Sequence, residues 1–253
     1  MMKFKMIFLF SLLHFLFFKG QKVQFLPNLR VTYEGSLKLG ENFKKDETFI
    51  LIGNSQNYYF GAAQNYLNDT KQYVSKGGVD LQAISDYFQE RLIRENGNYN
   101  VFYTKINTRI RYQEIADLKW VLYGDKKTIA GVECQMATTN KYGRRWIAYF
   151  AKSYPQQIVP YKFFGLPGLI MELYDTRNDY HFTVTKIEKI SRGFNFNLSQ
   201  YKLFSKENYK KAKYNLDYEG AGYPPMSTEM KKEYEEISAD LKKKFNNPIE
   251  LGD

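Results

Sequence analysis

Few side chains in this sequence could carry covalent or acid–base chemistry. With residues 1–20 expected to leave on export, His181 and Cys134 are the single histidine and the single cysteine. One imidazole and one thiol cannot furnish the usual four-ligand zinc site, so no metal is expected. No H-x-x-x-H pair, G-x-S-x-G elbow, P-loop or dinucleotide fingerprint occurs, and no cofactor is expected. In YHFTVTK, Tyr180, Phe182 and Val184 alternate with His181, Thr183 and Thr185. That period of two puts His181 on the polar face of a strand, and a solvated or satisfied ring is a better reading than a general base. In GVECQMATT the same alternation puts Val132, Cys134 and Met136 on an apolar face. The Cys134 thiol is therefore expected to be buried and inert.

Carboxylates are the remaining catalytic possibility. Glu172 and Asp175 are three apart, so on one regular strand they point to opposite faces and cannot flank one substrate. Glu172 projects with Ile170 and Tyr174. If that face lines a concavity, Glu172 is a lone acid with a raised pKa; a solvated or paired carboxylate is the plainer expectation. Just upstream, FGLPGLIMELYD holds two glycines around a proline. Pro167 suits the second position of a β-turn and Gly168 the third, so Leu166 to Leu169 fits a type II turn. Gly165 frees the backbone before it. A phosphate cradle would lead into a helix, whereas Leu169 and Ile170 open a strand.

These groups need a scaffold, and the pattern supplies one made mostly of strands. LRVTYEGSLKL (29–39) and ETFILIG (47–53) read as strands, and VDLQAISDYFQERLIRENG reads as a helix, with Asp80 as cap and Leu81, Ile84, Phe88 and Leu92 as its stripe. From Tyr99 to Ile190, seven strand-like runs separated by turn residues suggest consecutive antiparallel neighbours, with NKYG as a hairpin carrying Gly143 in the left-handed position. In RRWIAYFAK both faces are apolar, so one side should pack on the core helix and the other should be covered by a segment or line a concavity. An amphipathic helix is expected at about 227–245, with the stripe Met230, Tyr234, Ile237, Leu241 and Phe245 docked on the domain.

The first residues, MMKFKMIFLFSLLHFLFFKG, have a basic start and then an uncharged run from Met6 to Phe18. That run is too short to span a bilayer and reads as a secretory signal peptide over residues 1–20, cleaved near Gly20. Residues 21–253 are then a single exported domain: periplasmic, outer-membrane-associated or extracellular. No later stretch is long and apolar enough to span as a helix. Loss of Lys3, Lys5 and Lys19 takes the formal charge from +10 to +7, an excess that keeps the chain soluble or suits an anionic envelope surface better than nucleic acid.

FGLPGLIMELYD resembles the signature of the GLPGLI family of exported proteins from Gram-negative bacteria. IAGVECQMATTNKYGRRWIAYF and NNPIELGD are similar to the family's segments on either side, so the resemblance covers roughly residues 119 to 251. Val159-Pro160 departs from the Gly-Pro common before the motif. The resemblance implies an envelope β-rich domain, with no established activity and a half-barrel of the lipoprotein-carrier kind as fold analogy. The fold expected is thus α+β, a curved antiparallel sheet with packing helices. The function expected is a non-enzymatic binding module for an envelope lipid, glycan or outer-membrane protein. Trp120, Trp146, Tyr149 and Phe163 would give contact area, Arg144 or Arg145 an anionic anchor, and Glu172 a polar contact. Gly165, Leu166, Pro167, Gly168, Leu169 and Ile170 are assigned a structural role. The alternative is a glycosidase-like hydrolase using Glu172 and a distant carboxylate.

Overall fold

The computed structural model describes residues 22–55, 57–72 and 84–252. The expected signal peptide and the start of the expected helix, with Asp80 and Leu81, lie outside them. Among the described residues the protein is mostly sheet, 47% strand, with three α-helices and one large, curved, unclosed sheet.

The strands, in chain order, are β1 (Lys22–Phe25), β2 (Leu29–Gly40), β3 (Phe43–Gly53), β4 (Tyr58–Ala62), β5 (Arg91–Glu95), β6 (Asn98–Lys105), β7 (Thr108–Glu114), β8 (Val121–Ile129), β9 (Val132–Lys141), β10 (Arg144–Ala151), β11 (Leu169–Asp175), β12 (Tyr180–Lys189), β13 (Phe194–Asn197) and β14 (Lys202–Phe204). The helices are α1 (Ala63–Asp69), α2 (Lys206–Tyr218) and α3 (Thr228–Lys244). Twelve strands form one sheet in the order β14-β7-β6-β5-β4-β3-β2-β12-β11-β10-β9-β8. All neighbours are antiparallel except β14 and β7.

The long β2–β3 hairpin sits in the middle of this sheet, and the strands after Tyr99 divide on either side of it. The expectation of consecutive neighbours therefore holds except at one place, where the chain crosses from β7 near one edge to β8 at the other; β12 pairs both β11 and β2. Tight hairpins set the local register. Asn96-Gly97, Ala130-Gly131 and Tyr142-Gly143 each hold two successive positive φ values, the backbone a two-residue connection needs to match strand twist. Gly143 is thus left-handed, as NKYG suggests.

The expected helix through Leu92 is overturned over its described part. Residues 84–90 form no helix and 91–95 are β5. The physical reason lies in side chains that take over the backbone groups. Asn65 accepts from Ser85 N (2.8 Å) and donates to Phe88 O (2.9 Å), and Ser85 Oγ accepts from Tyr87 N and Phe88 N. Local hydrogen bonds of this kind compete with a helix. Arg91, Leu92 and Ile93 are then buried in the sheet.

The sheet is covered on both sides. On the outer face, β1 and β13 pair as a small second sheet, and Phe194, Phe196 and Tyr201 pack with Ile50, Ile52 and Phe102. On the inner face the cover is a non-helical run, residues 152–168, in which Ile158, Val159, Tyr161, Phe163 and Leu166 are buried. The aromatic run before the glycine motif is therefore core, burying on the order of 2–3 kcal/mol of transfer free energy per ring.

At the motif the strand prediction holds and the turn type changes. Gly168 N donates to Leu166 O, only two residues back, while Leu169 N is taken by Tyr154 O. The type II bond from Leu169 to Leu166 is absent. Gly168 instead has φ 157°, nearly extended, and leads directly into β11.

α3 begins and ends close to the predicted 227–245, with Ser227 Oγ accepting from Met230 N. Its seam is turned from the predicted stripe. Met230 and Ile237 are exposed, while Ser238 is buried and donates to Tyr218 O (2.6 Å). A backbone acceptor on α2 rather than an apolar surface sets that contact.

Candidate functional site

The residues proposed from sequence as ligand contacts are scattered, and most are structural. Trp146 and Phe163 are fully buried and pack ring to ring at 4.5 Å, with Trp146 Nε1 donating to Lys141 O. Trp120 is half-buried and donates to Phe164 O, against the Gly165 backbone. Tyr149 lies on the outer face beneath the Lys127 ammonium, 4.1 Å from its ring centre. The four rings share no cavity, and their contact role is withdrawn for the two that are sealed in the core.

Arg144 is no anchor for a ligand anion. All five of its N–H groups are used within the molecule: Nη1 on Asp175 (2.9 Å) and Asp179 (3.0 Å), Nη2 on Asn247 and Pro248 O, Nε on Ile249 O. It clasps the segment 247–249 to the β9–β10 turn. Arg145 is exposed beside Arg177 in a shallow cleft of about 500 Å³.

Glu172 is paired rather than lone. It contacts Lys127 and receives His181 Nε2 at 3.0 Å. Burial pushes its carboxyl up, but these two hydrogen bonds outweigh burial and hold it below the ordinary range. The raised pKa considered for a concavity is thus corrected. The same His181 nitrogen also lies 3.3 Å from Thr183 Oγ1, so one ring edge serves both neighbours and no relay through the imidazole exists.

The main cavity lies elsewhere. It measures about 980 Å³ and sits between the inner face of the sheet, α2, the end of α3 and residues 246–250. Nine of its twenty-four lining residues are Tyr or Phe, so aromatic rings are a large part of its walls. The tyrosine hydroxyls are anchored. Tyr209 donates to Glu90 (2.9 Å), Tyr161 to Glu250 (2.7 Å) and Tyr180 to Asn247 O (2.6 Å).

Charges border the cavity in neutralised groups. Lys162, fully buried, contacts Glu114, Glu250 and the Tyr112 hydroxyl, and Lys206 bridges Glu114 (2.8 Å) and Glu250 (3.2 Å). Asp217 receives Lys105 (2.9 Å), Lys213 (2.8 Å) and the Tyr103 hydroxyl. Burial pushes the carboxyls of Asp217 and Glu250 up, and their lysines and tyrosines bring both below the ordinary value. Glu90 shifts the other way. Burial dominates and raises it, because Lys213 and Lys162 act on it only through space. Among the described residues no group of acids, histidine and cysteine could hold a metal ion.

Sequence reasoning missed Glu90, Tyr209, Asp217 and Glu250. One signal was present: Tyr209, Lys213 and Asp217 are spaced i, i+4, i+8 on α2, a polar–aromatic face that apolar periodicity overlooks.

No family model matches the chain, and no curated protein matches it. Among solved structures it is similar to PNGF-II in two crystal forms. The TM-scores are 0.55 and 0.54, at 14% and 13% identity over 76% of this chain. An uncharacterized conserved protein from Thermus thermophilus (TM-score 0.37, 6% identity, 74% of this chain and 92% of that one) and a LolA superfamily protein from Nitrosomonas europaea (0.30, 7%, 65% and 87%) are more distant. This chain spans about a third, 34%, of the PNGF-II chain, and at such identity the likeness is one of fold.

Proposed function

We propose that the chain is an exported cell-envelope protein of the GLPGLI kind that binds a glycan in the inner cavity without transforming it. The cavity carries this reading. Its volume suits a ligand of a few sugar rings. Tyrosine faces offer stacking surface for apolar sugar faces, and fixed carboxyl, amide and ammonium groups offer partners for hydroxyls. A lipid chain would strip water from these polar groups and offer them no hydrogen bond in return. A half-barrel is the finer description we propose for the sheet, supported by its two unclosed edges, β14 and β8.

The test is calorimetry with neutral and N-acetylated oligosaccharides on the mature protein. Saturable binding lost in the double variant Tyr214→Ala, Tyr218→Ala is expected, since both rings line the cavity. Absence of binding to every oligosaccharide, together with glycan-free protein purified from its own envelope, would end the proposal.

One observation favours a second reading, a carboxylate hydrolase. Glu90 and the pair Asp217 and Glu250 have pKa values displaced in opposite directions within one cavity, the arrangement that separates acid from base. Such an enzyme would use Glu90, not Glu172. Against it, Asp217 and Glu250 already accept from two lysines and a tyrosine each, which leaves little basicity to activate water. Release of reducing ends from labelled oligosaccharide, abolished by Glu90→Gln, would select the hydrolase.

A further inference from the structure

Two carboxylates at the cavity already share one way of holding an ammonium. Lys162 Nζ lies 4.9 Å from the Tyr161 ring centre and 5.4 Å from that of Tyr112, in contact with Glu250. Lys213 Nζ lies 4.8 Å from the Tyr103 ring centre and 2.8 Å from Asp217. Each is a carboxylate beside a tyrosine face with a primary ammonium between them, a pairing that ring quadrupole and ion pair both favour. Of the other lysines lining the cavity, Lys105 lies 2.9 Å from Asp217 and Lys242 is held by Glu219 at 2.9 Å.

Glu90 repeats the acid and the ring but not the cation. It precedes β5, lines the cavity, and accepts the Tyr209 hydroxyl on Oε1, while no ion pair among the described residues includes it. Its side chain is half-buried at the cavity wall. The titratable groups near it are Tyr209 and Lys213 from α2, Lys162 and Tyr161 from the 152–168 run, Tyr103 from β6, Tyr112 from β7, Tyr180 from β12 and Glu250 from the tail. Acids inside proteins are ordinarily paired.

We infer that the glycan taken by this cavity carries a free amino group, and that its ammonium seats on Glu90 between the tyrosine faces. This rests on the glycan reading above. The ligand class is an amino sugar with an unacetylated amine. Acetylation removes the charge and leaves the carboxyl with a neutral amide.

Calorimetry on the mature protein with glucosamine tetramer, its fully N-acetylated counterpart and cellotetraose tests this. The glucosamine tetramer is expected to bind about tenfold or more tighter than the acetylated one, the scale of one charge-assisted contact. Glu90→Gln should erase that preference while keeping affinity for the acetylated tetramer. Equal affinities, or a preference that survives in Glu90→Gln, would overturn the amine assignment with the glycan site intact. Failure of all three sugars to bind would overturn the glycan site itself.

Discussion

Gly168 packs its Cα against the carbonyl of Ala151, where an added Cβ would overlap the oxygen and stand 2.8 Å from the carbonyl carbon. Backbone, not a movable side chain, forms that wall. Gly168→Ala should therefore lower stability by about 2–4 kcal/mol and Gly168→Val by more, read as urea midpoints. Gly131→Ala, with a positive φ but open space around it, should cost only about 1 kcal/mol. Equal losses at the two sites would refute the close-approach account.

Arg144→Met leaves buried Asp175 without its cation and Asp179 with Lys38 alone, 3.6 Å away. A loss of about 3–5 kcal/mol is expected, with faster proteolysis in residues 242–250. Burial raises the Asp179 carboxyl, but Arg144, Asn247 and Lys38 outweigh that and lower it from 3.8. A depressed folded pKa stabilises above the unfolded value and stops doing so as pH falls through the folded one. The gap between wild type and variant should thus be widest above about pH 4 and narrow in stronger acid. A gap constant down to pH 2 would rule out the ion pair as its source.

Glu47 carries the opposite sign. Burial lifts its carboxyl to about 7 against the Ser85 hydroxyl that donates to it, and its Oε2 has no partner. A raised folded pKa means stability is full below the unfolded value of 4.5 and is lost as pH climbs through 7. Glu47→Gln should remove that slope and gain on the order of 1–3 kcal/mol at pH 8 relative to pH 4. Parallel pH profiles for the two proteins would count against it.

The Cys134 thiol is pushed up to about 11 by burial. Iodoacetamide at pH 8 should leave the folded protein unmodified and label it completely in 6 M guanidinium, as followed by intact mass. Labelling of the folded protein within minutes would mean the site opens.

Outer-face charges should matter little to the cavity. Glu172→Gln breaks contacts with Lys127 and His181, both about a third exposed, and should cost less than about 1 kcal/mol. Oligosaccharide affinity should stay as in the wild type. A tenfold loss would move the binding site to the outer face.

Alternation of apolar and polar residues made the strands legible, because a half-buried strand must repeat every two positions. It misled where local polar groups decide the backbone: Ser85 and Asn65 unmake a helix that Ile84, Phe88 and Leu92 would otherwise suggest. At the GLPGLI turn the residue types showed that glycine was required, but not that Ala151, seventeen positions earlier, was the reason. Trp146 and Phe163 read as binding surface because type alone cannot tell a ring facing a ligand from one facing the core. The cavity was illegible since Glu90, Tyr112, Tyr161, Tyr209 and Glu250 come from separate stretches that only the sheet order brings together.

The clasp around Arg144 also orders events in time. Asn247 N and Nδ2 donate to Leu39 O and Lys38 O, across 209 positions of chain for the second, and Leu251 N closes on Tyr142 O. During synthesis residue 247 emerges long after β2, so β2 gains those bonds only once residues 41–246 have been made, and the clasp closes after the sheet's own hairpins can form.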